Sequence, residues 1–322
     1  MVTIPENIEQ KWRRGWRITK SDMEKLHRAE LDKSIGELRE YIETGKLVLP
    51  VARERPQVEP PFEDWESVRL CGALATLGEI RCFEAERNSE ENESFNFLAA
   101  FRAFEAFELL TSLDLVQCKR YSQRFGREDR MMTAKTVGKI ALGAILGQTQ
   151  RSAALFRIYA TYAQRGCVFD QDYLPAYRFQ FRLMAQHYDT GVPDILNGEM
   201  EFGPLNQLLA NLYSENFDEI VDDLSQVCDF HMYRSVGKRG EEFIDYDLGP
   251  FVRLPVEALL VFALRKDRGL DNGRVDHCMM SAPFDQLPPT TDVEPDPLIS
   301  AVRQRMEADG FDWREACSDC RS

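Results

Sequence analysis

A chain of 322 residues with 43% hydrophobic residues, including 20 Phe and 10 Tyr, can bury a sizeable core, which excludes a wholly disordered protein. Its formal net charge of −14 repels nucleic acid and anionic membrane surfaces, and it attracts basic partners. The same acidity is also found in proteins that need charge only for solubility.

The N-terminal segment 1–17 is polar apart from residues such as Trp12 and Trp16, and it lacks the apolar stretch of a signal peptide. No run of 18 or more strongly apolar residues follows, so we expect no membrane-spanning helix. These features predict a cytoplasmic protein that does not bind a membrane. Its eight cysteines would then be reduced thiols.

Apolar residues at intervals of three to five predict a helix over 21–45, with Gly45 just past its end. A proline-rich connector follows, and its prolines cannot continue a helix. We therefore predict an N-terminal helical arm over 1–55 and a main all-α domain over 62–322.

Helical spacing is nearly continuous in the middle of the chain. It predicts helices over 64–87 and 94–120, and two helices within 133–165 that are separated near Gly147. Phenylalanines spaced by three in the second helix, among them Phe101 and Phe104, are typical of a helix–helix core rather than a cofactor pocket.

The same spacing continues in the C-terminal half, where proline-rich stretches separate some of the helices. The predicted helices there span 172–189, 203–213, 215–234, 254–266 and 297–309. The whole pattern predicts an all-α fold of about nine or ten helices, arranged as an array of antiparallel helical hairpins. We find no repeat of fixed period.

Common catalytic and nucleotide-binding motifs are missing from the sequence. The four histidines are far apart and suit surface or core positions better than metal binding, so we assign no catalytic residue, no metal ligand and no cofactor. Cys317 and Cys320 form a C-x-x-C pair at the end of the chain. Such a pair is either a tail without a function or part of a redox or metal site.

Charge is unevenly distributed along the chain. Residues 201–235 hold seven acids and one base, and residues 61–94 hold nine acids and three bases, whereas residues 136–168 hold four bases and no acid. Asp222 and Asp223 do not complete a diphosphate–magnesium motif, because residue 226 is glutamine.

We instead treat the first acidic segment as a candidate partner-binding surface on one face of a helix. Its residues are Glu215, Asp218, Glu219, Asp222 and Asp223. The alternative interpretation is a solvated helix face without a partner.

Residues 251–266 (FVRLPVEALLVFALRK), followed by Gly269-Leu270 and by Asp276 to Met280, resemble the C-terminal part of helical immunity proteins from bacterial toxin and type VI secretion systems. This resemblance implies an α-helical inhibitor without enzymatic activity, whose partner is one cognate toxin. It supplies no contact residues.

The residues and the resemblance together favour a cytoplasmic immunity protein that neutralises a basic toxin domain, for example a nuclease, by covering its active site with acidic helices. A helical-repeat scaffold or regulator that binds a protein or peptide is the first alternative. An all-helical enzyme built from dispersed carboxylates is the second, and carboxylates that converge in a pocket would favour it.

Overall fold

The computed structural model shows an all-α protein, which confirms the predicted fold class. The structure describes residues 4–45, 65–87, 95–125, 132–169, 174–235, 245–246, 251–289 and 293–312. In these ranges the only strands are β1 (Met132–Thr133) and β2 (Val168–Phe169), a parallel pair with Met132 opposite Val168.

Eleven α-helices occur in the described residues. In chain order they are α1 (Ile8–Thr44), α2 (Trp65–Glu86), α3 (Phe97–Phe125), α4 (Thr136–Ile145), α5 (Thr149–Gln164), α6 (Pro175–Tyr188), α7 (Asp194–Asn197), α8 (Gly203–Asn211), α9 (Asp218–Ser235), α10 (Val256–Asp267) and α11 (Pro297–Ala308). A 3₁₀ turn lies at Cys278–Met280.

The largest difference from the sequence prediction is the start of α1, which begins at Ile8 rather than near residue 21. Ile8, Trp12 and Trp16 are spaced by four, so they lie on one helix face, and all three are buried. The polar residues between them make the apolar spacing difficult to recognise in the sequence. Gly45 ends the helix with φ = 67°, the left-handed conformation expected at that position.

Helices α2 and α3 form an antiparallel hairpin. The Cys71 thiol contacts Asp114 near one end of the pair. Near the other end, the backbone N–H of Asn96 donates to the Ala85 carbonyl. The predicted phenylalanine core is confirmed, because Phe101 and Phe104 are buried.

Close helix contact is made possible by a glycine on α4. A Cβ atom at Gly143 would lie 2.3 Å from the Phe104 ring, so the two helices approach more closely there than any larger residue would permit. The predicted break between α4 and α5 is also present, with Gly147 at φ = 74°.

Helix α1 belongs to the same hydrophobic core as the rest of the described chain. It packs on α2, α9 and α11, and the Trp12 Nε1 group donates to the Val252 carbonyl at 3.0 Å. The connector that was predicted to separate an arm from a main domain lies outside the described residues, so that division stays a prediction.

None of the helices in the described part of the chain combines the length and the apolar character needed to cross a bilayer.

Candidate functional site

Four of the five predicted binding residues lie exposed at the start of α9. Glu215 is in the turn that precedes the helix, Asp218 and Glu219 are in its first turn, and Asp222 is one turn further on. Carboxylates at a helix N-terminus are favoured by the helix dipole. This group of four residues is called the acidic surface below.

Asp223 differs from the other four because its side chain is buried. It falls on the buried stripe of α9 with Ile220, Leu224 and Val227, since a step of one residue turns the chain by about 100°. Burial and the neighbouring Asp222 raise its pKa. The prediction that 222 and 223 share an exposed face is therefore corrected, and Asp223 is left out of the acidic surface.

A fully buried arginine holds the turn that leads into the acidic surface. One terminal nitrogen of Arg265 donates to the carbonyls of Leu212 and Ser214, both at 2.8 Å. Its Nε and other terminal nitrogen reach Asn272 and the Asp271 carbonyl. The exposed Asp271 is thereby brought near the same turn, so a second segment of chain extends the acidic character of this region.

Sequence reasoning missed Arg265, although a signal was available. It is a charged residue that directly follows the apolar run 258–264 in helix α10, and it is buried like that run. A charge in such a position needs several hydrogen bonds to be tolerated.

A second group of polar residues lies in the core between α6, α9 and α10. The Glu257 carboxylate contacts His231 Nδ1 at 2.7 Å and accepts from the Tyr246 hydroxyl, which in turn accepts from Gln180. Desolvation lowers the pKa of His231, but the charge and hydrogen bond of Glu257 outweigh it, so the pKa is raised overall.

Two further buried carboxylates hold irregular backbone in place. Glu86 accepts from the amides of Phe251 and Arg253 at 2.7 and 2.8 Å, and burial raises its pKa to about 7. Asp245 pairs with Arg234 at 2.9 Å, and burial raises its pKa to about 6. These groups converge in the core rather than in an open pocket, and their partners identify them as structural.

An open cavity of about 840 Å³ lies where the α4–α5 turn meets the ends of α6 and α10. His187 is on its wall, with Nε2 2.9 Å from Asp267 and Nδ1 2.8 Å from the Tyr213 hydroxyl. Burial lowers the pKa of His187 despite the opposing effect of Asp267. A neutral ring that donates from Nε2 to Asp267 and accepts the Tyr213 proton at Nδ1 satisfies both contacts.

Each of the three histidines whose side chains the structure describes therefore has a carboxylate partner, since His277 also lies 3.3 Å from Asp229. Sequence spacing does not reveal these pairs, because their members lie on different elements.

The cysteines in the described ranges form no disulfide, and Cys82, Cys118 and Cys167 are buried in the core. Within those ranges, no three His, Cys, Asp or Glu side chains are grouped so that they could hold a metal ion. Cys317 and Cys320 lie outside the described residues, so both interpretations of that pair stay open.

Comparisons of the chain with protein-family models, with curated proteins and with solved structures found no match.

Proposed function

We propose that this protein is a cytoplasmic, helical immunity protein that binds a cognate basic toxin domain through the acidic surface and thereby blocks the active site of the toxin. The observation that carries this proposal is the exposure of Glu215, Asp218, Glu219 and Asp222 together at the start of α9. Among the described residues, none of these four carboxylates has a cation within ion-pair distance.

A nuclease cleft suits this surface because it must be basic to hold the phosphates of its substrate. Carboxylates spaced along a helix can occupy such a cleft in place of phosphates. Complementary charge would also speed association, which helps an inhibitor that has to act before damage occurs.

The rigidity of the turn supports the same proposal. Arg265 fixes the backbone from Leu212 to Ser214, so the carboxylates that follow are held in place before any partner arrives. A surface that is already ordered loses less conformational entropy on binding.

The test reverses charge at three exposed positions, Glu215→Lys, Glu219→Lys and Asp222→Lys, in one variant. The partner is the toxin domain encoded next to this gene, produced in cells that survive only when it is neutralised. We expect the triple variant to lose protection. Its association rate with the purified toxin domain should fall by about tenfold or more at low salt and by less at high salt.

A matched variant reverses three exposed acids on α1, Glu24→Lys, Asp32→Lys and Glu43→Lys. It makes the same change in net charge on another element, so it should still protect. Circular dichroism confirms that both variants are folded. Full protection by the α9 variant, or equal loss in both, would show that the acidic surface is not the binding site.

A further inference from the structure

The basic segment 136–168 contributes to the open cavity beside the α4–α5 turn. Two of its four cations, Arg151 and Arg157, line that cavity, and Arg268 joins them from the residue after α10. The sequence does not predict this third arginine, because it is more than 100 residues away along the chain. An acidic protein thus has a local cavity with three arginines on its wall.

Two of these arginines have no carboxylate partner within the described ranges. The Arg157 guanidinium lies 5.7 Å from the centre of the Tyr188 ring, and the Arg268 guanidinium lies 5.4 Å from that of Tyr213. Arg268 also donates to the His187 carbonyl at 3.2 Å. Stacking on a ring leaves most of the donors of a guanidinium free for an anion.

The third arginine is paired with a carboxylate. Arg151 forms a two-pronged pair with Glu108, but Arg303 contacts the same carboxylate at 2.8 Å. Besides Glu108, Glu105 also raises the pKa of Arg151 through its charge, so two carboxylates face these two guanidinium groups. The excess of positive charge at the cavity therefore comes from Arg157 and Arg268, with Asp267 as the single anion on the cavity wall and His187 counted as neutral.

The N-terminus of α5 lies at the same cavity. Thr149, Gln150 and Arg151 form the first turn of α5 and line the cavity. That turn contains no acidic residue, and Gln148 at the cap position makes no side-chain capping bond. The first amides of a helix have no partner within it, and together with the helix dipole they favour an anion.

The Tyr188 side chain is more than nine-tenths buried beside the cavity. Its hydroxyl has almost no accessible surface, so the ring rather than the hydroxyl forms part of the cavity wall. The hydroxyl approaches Ser152 without reaching hydrogen-bond geometry, and Ser152 itself donates to the Ile140 carbonyl. Burial raises the pKa of Tyr188 to about 12, so the hydroxyl stays a donor at neutral pH.

We propose that this cavity binds a small phosphate monoester that also has hydroxyl groups. The phosphate contacts Arg157, Arg268 and the first amides of α5. Asp267 is half-exposed and contacts His187 through one oxygen only, so the other oxygen can accept from a ligand hydroxyl. The cavity volume of about 840 Å³ suits a ligand of sugar-phosphate or nucleotide size.

The test is titration calorimetry of the isolated protein, so it does not depend on the proposed toxin partner. Inorganic phosphate, ribose 5-phosphate and ribose are the probes, at pH 7.5. We expect both phosphates to bind and ribose alone to give no signal. Ribose 5-phosphate should bind about tenfold more tightly than inorganic phosphate, because only the ester can reach Asp267 with its hydroxyls.

Two exposed arginines provide the decisive variants. Arg157→Gln and Arg268→Gln should each weaken phosphate binding by about tenfold, since charge-assisted bonds to phosphate are lost. Arg165→Gln is the matched control, because Arg165 is also exposed and lies next to an aromatic ring, that of Tyr162, but is not on the cavity wall. It should bind as the parent does.

Asp267→Asn should remove the advantage of ribose 5-phosphate while leaving inorganic phosphate bound. If neither phosphate binds at concentrations up to about 10 mM, the proposal is overturned, because a specific site would bind more tightly than that. An equal loss in the Arg165 variant overturns it as well, because binding would then be non-specific. If both phosphates bind equally well, the assignment of hydroxyl recognition to Asp267 is wrong.

Discussion

Glu86 shows how one buried residue couples the stability of the fold to pH. Its carboxylate holds the amides of Phe251 and Arg253, although burial raises its pKa from 4.5 to about 7. A carboxyl group with a raised pKa in the folded state binds its proton more tightly there than in the unfolded chain. Its contribution to the free energy of unfolding is therefore largest at low pH and falls as pH rises towards 7.

We predict that Glu86→Gln flattens the dependence of stability on pH. Between pH 5 and pH 8 the free energy of unfolding of the parent should fall by about 2 kcal/mol more than that of the variant. Urea unfolding at pH 5, 6, 7 and 8 measures this difference. His187 has a lowered pKa and acts in the opposite direction, but it contributes equally to both proteins.

Glu84→Gln on the same helix is the control, because that side chain is only partly buried and pairs with Arg81. It should leave the slope as it is in the parent. Identical slopes in the parent and in Glu86→Gln would mean that Glu86 is not protonated in this range.

At the scale of elements, the turn between α8 and α9 depends on a side chain from α10. Arg265 provides donors to two carbonyls in that turn and to the 271–272 segment, so it joins three stretches of chain. The acidic surface has its position because of this one buried side chain.

Replacement of Arg265 by Met should destabilise the fold by about 2–4 kcal/mol, because several buried acceptors lose their donor. Arg265→Lys keeps the charge and some of the donors but cannot reproduce the planar guanidinium group. Its loss of stability should therefore be smaller than that of Arg265→Met. Amide hydrogen exchange over 212–219 should speed up in both variants more than exchange within α10.

The exposed Arg274, replaced by Met, is the control, and its effect should stay within about 0.5 kcal/mol. Unchanged exchange over 212–219 in Arg265→Met would show that the turn is ordered without the arginine.

At the scale of the whole molecule, α1 shares one core with the helices that follow the proline-rich connector. Trp12 and Trp16 are both fully buried, and Trp12 donates a hydrogen bond to the Val252 carbonyl, 240 residues away in the sequence. An arm that could unfold by itself would expose these two large side chains to water.

We therefore predict that α1 unfolds together with the rest of the molecule. A Trp65→Phe, Trp313→Phe variant retains only Trp12 and Trp16, since the chain has 4 tryptophans. Its fluorescence then reports on α1, while far-ultraviolet circular dichroism reports on all helices. The two denaturant midpoints should coincide. A fluorescence transition at lower denaturant would instead support an independent arm.

The sequence by itself determined the class of the fold and the approximate position of most helices. The apolar spacing that a helix needs is a local property, so it is visible in residues such as Phe101 and Phe104 without knowledge of their partners. The break at Gly147 and the end of α1 at Gly45 are local for the same reason. The exposed acids at 215–222 could also be found, because net charge per segment can be counted directly.

Only the tertiary structure decided which polar groups meet. Arg268 reaches the cavity beside α5, Arg265 reaches the turn before α9, and His187 reaches Asp267, each from an element distant in sequence. It also decided that Asp223 is buried while Asp222 is exposed, since this depends on which side of α9 its neighbours cover. Contacts between elements depend on packing that no local pattern encodes, which is why the candidate sites emerged from the fold and the helices from the sequence.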